Sequence, residues 1–206
     1  MIDMSRFQCE NEGIISDMMH DKGFKEKKRF VLYEKSTVDL KQRIEMNVES
    51  YHGCYKFLYP YYEIRSKRIL QIAKEITQND DVFGRAVRLQ SAILREPIQT
   101  IHKTDMWMIK NNVITEKLLY ELTYYFEKYV FPLLVVLQKN NGIIELYERR
   151  DQRIIMSDLI HVFVMSAYVE CGDVQKAISV YENRFVGNSR NSHISILEKL
   201  VQIQIG

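Results

Sequence analysis

Between residues 158 and 186 the sequence carries two apolar helical faces separated by one glycine, a pattern that little other than an antiparallel helical hairpin can satisfy. Leu159, Val162, Phe163, Ser166 and Ala167 recur at the spacing that places side chains on one face of a helix. Gly172 can take the left-handed conformation that ends this helix, and Asp173 can cap the next. In the second helix Val174, Ala177, Ile178 and Tyr181 share a face, with the small Ala177 where the two helices cross most closely. The segment reads as a scaffold for interaction rather than for chemistry.

The run Ala167-Tyr168, Cys171-Gly172-Asp173, Lys176-Ala177 and Tyr181-Glu182 resembles a pentatricopeptide repeat and, more loosely, a tetratricopeptide repeat. The resemblance covers one repeat. In that family a polar side chain near the middle of the first helix reads an RNA base. Aligned on Cys171-Gly172, that position is Phe163, with Val162 where the family favours Asn. The resemblance therefore implies the packing of the repeat without its base-reading chemistry.

Elsewhere turn-forming residues are scarce. Eight glycines and three prolines in 206 residues leave little material for hairpin turns and favour long helices. We therefore expect an all-α protein, a compact array of about eight or nine helices ending in the hairpin and a capping helix. Apolar residues at 46% and charged ones at 27% are the proportions of a folded globular chain rather than a disordered one. Residues 1–35 are expected to form an arm with one short helix, 36–141 a helical core, and 142–206 the hairpin with its cap, packed on the core. Within the core, apolar spacing predicts helices over 36–59, 62–77, 82–95 and 97–110. A longer helix over 115–137, hydrophobic nearly all round and bent at Pro132, is expected to be the central buried element.

The longest apolar run, residues 129–137, is broken by Pro132 and is about half the length that spans a bilayer. Cys9, Cys54 and Cys171 are odd in number and far apart, as suits reduced thiols. The N-terminus lacks the pattern of a signal peptide. These features predict a cytoplasmic protein with no membrane partner.

A net charge of +2 makes the molecule as a whole no magnet for nucleic acid, so any such site must be a local patch. Two patches qualify. Lys25, Lys27, Lys28 and Arg29 form the densest basic cluster, directly ahead of an apolar run. Arg85, Arg88 and Arg95 form a stripe opposite the apolar side of the helix expected over 82–95, with no acid among them.

Signatures of catalysis are missing: there is no glycine-rich phosphate loop, Gly-x-Ser-x-Gly, His-Glu-x-x-His or Cys-x-x-Cys. His52 and Cys54 are the one close His and Cys pair and fall within the helix expected over 36–59. His102, His161 and His193 are isolated, and Asp80-Asp81 suits a helix cap better than an acid–base pair. No enzyme, cofactor or metal site is expected. The patches point instead to a non-enzymatic helical protein that docks on structured RNA or a ribonucleoprotein. The bias toward Ile, Asn, Lys and Tyr, with the compact loops, is similar to the ribosome dormancy factors of microsporidia, a likeness that implies a ribosome-bound translation or dormancy factor. The alternative is a helical-repeat module that binds a peptide or protein partner.

Overall fold

The computed structural model describes residues 7–37, 39–51, 55–103 and 107–205. It replaces the all-α expectation with a mixed α/β fold that carries three sheets among those residues. A short strand β1 (Gln8–Cys9) leads to α1 (Gly13–Asp21). Six strands follow: β2 (Lys25–Lys28), β3 (Leu32–Ser36), β4 (Leu40–Glu45), β5 (Val48–Tyr51), β6 (Tyr55–Leu58) and β7 (Tyr61–Ser66). Helices α2 (Lys67–Ile76) and α3 (Phe83–Arg88) precede strands β8 (Leu94–Pro97), β9 (Trp107–Ile109) and β10 (Val113–Ile114). The rest is helical: α4 (Glu116–Tyr125), a π-turn (Phe126–Val130), α5 (Phe131–Val136), α6 (Gly142–Glu148), α7 (Asp158–Glu170), α8 (Val174–Arg184), α9 (Asn188–Ser192) and α10 (Ile194–Ile205).

The chain divides into two compact units, each assembled from separated segments. The first comprises Met1–Thr37, Lys41–Glu63 and Arg95–Val135; the second comprises Val38–Leu40, Ile64–Leu94 and Val136–Gly206.

A five-stranded sheet has the order β2-β3-β4-β7-β8, so β2 lies at one edge. Strand β4 explains itself by alternation. Leu40, Gln42 and Ile44 are buried while Lys41, Arg43 and Glu45 are half-exposed, and the period continues through buried Met46 and Val48. Gln42 joins the apolar side because its Nε2 donates to the carbonyl of Leu134 at 2.6 Å. The helix expected over 36–59 is therefore three strands. Strands β5 and β6 pair antiparallel, with Val48 opposite Leu58, and β9 adds to β6 with Met108 opposite Phe57. Strand β1 runs parallel to β10, joining Gln8 to Val113.

The scarcity of glycine did not forbid these turns, because other residues make them. Phe30, Asn111 and Asn112 have φ of 54°, 52° and 59°, and an asparagine amide tolerates that left-handed region. The helix expected over 97–110 is also absent; a short 3-10 turn, Ile98–Thr100, and then β9 occupy its place. Pairing with distant strands outweighs the local spacing there.

The second unit is mostly helical. Ser66 Oγ accepts from the Ile69 amide at 3.2 Å and starts α2, so the helix expected over 62–77 begins only after β7. Asp80 Oδ1 accepts from the amides of Val82 and Phe83 at 3.1 and 2.7 Å and starts α3. That helix stops at Arg88, well short of the expected 95. Helix α7 is buried from Ile160 to Tyr168 and packs against α2, α6 and α8. Gly172 takes φ +80° at its end, Asp173 caps α8 through the Lys176 amide at 3.1 Å, and Ala177 is fully buried. Ile196 and Leu200 anchor α10. With three sheets among the described residues, the helical-repeat architecture falls.

Candidate nucleic-acid interface

The basic cluster at 25–29 is an edge strand and its turn, both in the first unit. Lys25 lies opposite Glu34 and Glu26 opposite Tyr33, with a bulge before Lys28 meets Leu32. Alternation sends Glu26 inward, where its carboxylate accepts from Ser16 Oγ at 3.3 Å and from the Phe30 amide at 2.7 Å. The one acid in the strand is thus occupied locally. Lys25, Lys27 and Lys28 are exposed and form no ion pair with any described residue, whereas Arg29 is paired with Glu12. Beside them a concavity of about 700 Å³ opens between Lys28, Arg29 and Phe30 on one side and Cys9, Glu10 and Glu12 on the other.

The three arginines are not a stripe. Arg85 and Arg88 lie exposed on α3 in the second unit, with no ion pair to a described residue. Arg95 lies on β8 in the first unit, where Nε donates to Glu63 at 2.8 Å and Nη2 approaches Glu45 at 3.4 Å. Its guanidinium also lies 4.6 Å from the Tyr61 ring centre. Carboxylates on neighbouring strands and an aromatic face already hold its charge.

A second surface of the first unit escaped the sequence reading. Helix α4 starts from Thr115, whose hydroxyl accepts from the Leu118 amide, and it buries Leu118, Leu119, Leu122 and Tyr125. The opposite face leaves Tyr120 59% and Tyr124 62% exposed. Four residues on, Lys128 donates to the Tyr124 hydroxyl at 2.8 Å, and its ammonium is 5.2 Å from the ring centres of both Tyr124 and Tyr129. Hydrogen bonds to Tyr124 and then Tyr129 raise the Lys128 pKa, which keeps it charged. The intervening π-turn is a geometry found disproportionately at functional sites.

His102 completes this surface. Its exposed ring stacks on Tyr129 at 4.1 Å and 11°. The Tyr125 hydroxyl accepts from its amide at 3.1 Å and lies 2.5 Å from its carbonyl. A smaller hollow of about 350 Å³ adjoins α4, lined by Trp107, Met108, Lys110 and Lys117 among others. The signal in the sequence was Lys117, Tyr120, Tyr124 and Lys128, at intervals of three and four outside the buried stripe.

Among the described residues the two thiols are muted. Burial pushes the Cys9 thiol up to about 11, and burial, then Glu170 and Asp173, raises that of Cys171. Both thiols therefore stay protonated, and so are weak nucleophiles, near neutral pH. In the second unit burial lowers the pKa of His161; its Nδ1 lies 2.7 Å from the Ser157 carbonyl, and Tyr147 packs against it edge-on. His193 Nδ1 meets Asp80 Oδ2 at 2.7 Å, and its ring packs against both Phe83 and Phe185, which also touch each other. His52 and Cys54 lie outside the described residues. No three His, Cys, Asp or Glu side chains converge as a metal site among the described residues, and no helix among them is long and apolar enough to cross a membrane. Compared with known proteins, the chain matches no family model, no curated protein and no solved structure.

Proposed function

We propose that this chain is a non-enzymatic interaction protein that docks on structured RNA or a ribonucleoprotein, the ribosome foremost. The observation that carries the reading is the row of exposed lysines on edge strand β2, Lys25, Lys27 and Lys28, none of which is neutralised by a described carboxylate. Lysines on an edge strand also discourage strand-to-strand aggregation. Phosphate binding has a different signature: each lysine that displaces counterions from RNA adds to the salt dependence of affinity. Arg85 and Arg88 are a second exposed pair of the same kind. A role as a ribosome-bound translation or dormancy factor, in the cytoplasm, follows from the compositional likeness and belongs to the same reading.

The test is a salt titration of binding to purified ribosomes or folded ribosomal RNA. Changing Lys25, Lys27 and Lys28 together to Gln is expected to reduce the slope of log affinity against log salt by about 2–3, while the thermal midpoint stays close to wild type. Equal slopes for the two proteins, or no binding by the wild type, would overturn the reading.

A further inference from the structure

We propose that the exposed face of α4, together with His102, is a stacking platform for unpaired bases of single-stranded RNA. The inference rests on the reading that the chain binds RNA and specifies which part of the RNA the first unit takes. Its foundation is the pair Tyr120 and Tyr124, four residues apart and so on one side of the helix, each with well over half its surface open. A tyrosine ring buried in a core satisfies its apolar face there; here Tyr120 and Tyr124 stay mostly open, with the Lys128 ammonium over the Tyr124 ring at 5.2 Å. Tyr129 stands beside this pair, because the Lys128 ammonium lies 5.2 Å from the ring centres of both Tyr124 and Tyr129.

One end of the platform already holds a stack. His102 lies nearly parallel to Tyr129 at 4.1 Å and 11°, whereas aromatic side chains among themselves more often meet offset or edge-on. A flat base laid on the exposed side of His102 would continue that pile. The Tyr125 hydroxyl holds the His102 backbone, so little ordering remains to be done when a strand arrives.

Charge selects the partner. Lys117 and Lys128 flank the two open tyrosines, and Lys110 lines the adjoining hollow. Glu121 reaches Lys117 only at 3.9 Å, and Lys128 is held by phenol oxygen and ring faces rather than by a carboxylate. Protein interfaces enrich tyrosine but deplete lysine, whereas aromatic rings interleaved with cations are what an unpaired strand requires. A duplex would not serve, because its base faces are covered by their neighbours; only splayed bases reach an aromatic side chain.

The experiment measures fluorescence anisotropy of the full chain with a labelled oligouridylate, an abasic ribose-phosphate strand of equal length, and an RNA duplex. The oligouridylate is expected to bind about tenfold or more tighter than the abasic strand. Tyr120→Ala with Tyr124→Ala should lose about tenfold for each stack removed, while the corresponding Phe substitutions hold wild-type affinity. The Lys25, Lys27 and Lys28 to Gln variant should weaken oligouridylate and abasic strand alike. If the abasic strand binds as tightly as the oligouridylate, or the alanine variant is unchanged while ribosome binding persists, the platform is wrong and the docking reading stands. No binding to any RNA overturns both. Tyrosine-dependent binding to anionic phospholipid vesicles in place of RNA would assign this face to a lipid surface and overturn the proposal.

Discussion

Glu63 is 4% exposed, and its carboxylate is answered by Arg95 at 2.8 Å and, less closely, by Arg43 at 3.9 Å. A charge so far from water is tolerated only while it is paired. Arg95→Gln should therefore cost about 1–3 kcal/mol, the range for a hydrogen bond to a charged group with part of its donor still wet. Arg85→Gln and Arg88→Gln, on an exposed face, should each stay within about 0.5 kcal/mol. Urea denaturation midpoints separate the cases, and equal losses at all three positions would refute the distinction. In the sequence the three arginines look alike. What separates them is a strand partner 32 residues upstream of Arg95, which no local pattern displays. The lysines at 25, 27 and 28 were legible because charge density is a local property. Tyr120 and Tyr124 were not, because tyrosine counts as apolar in a segment read as hydrophobic nearly all round.

Among the elements, the hairpin helices α7 and α8 and the capping helix α10 could be read because a three-and-four spacing ends at a clear stop or cap. The strands could not, for a reason visible in β4. Leu40, Ile44 and Val48 are four apart, and four suits both a period of 3.6 and a period of 2. The arbiters are the positions between them, Gln42 and Met46, and the first is polar. In a helix built on Leu40, Ile44 and Val48, Met46 would face away from the core; in the observed structure it is fully buried. Met46→Ala is accordingly expected to cost about 2–5 kcal/mol, measured by chemical denaturation, where a negligible loss would favour the helix. The turns misled in a second way. Glycine scarcity argued against hairpins, yet Phe30, Asn111 and Asn112 adopt positive φ themselves.

At the scale of the molecule, neither unit is a continuous stretch of chain. The parallel pair of β1 with β10 ties Gln8 to Val113, and His193 ties to Asp80 within the second unit. Separately expressed fragments 1–94 and 95–206 should therefore each lack a cooperative thermal transition, as followed by circular dichroism; a sharp melt in either would show that a unit closes without its distant segments. The interleaving also sets a schedule during synthesis. The lysine strand leaves the ribosome early, but the first unit stays open until Val135 has been added, an interval on the order of ten seconds at ordinary translation rates. For that time Lys25, Lys27 and Lys28 sit on a tethered, unfinished chain held beside ribosomal RNA, so a chain of this layout that docks on RNA would meet its first RNA before it has folded.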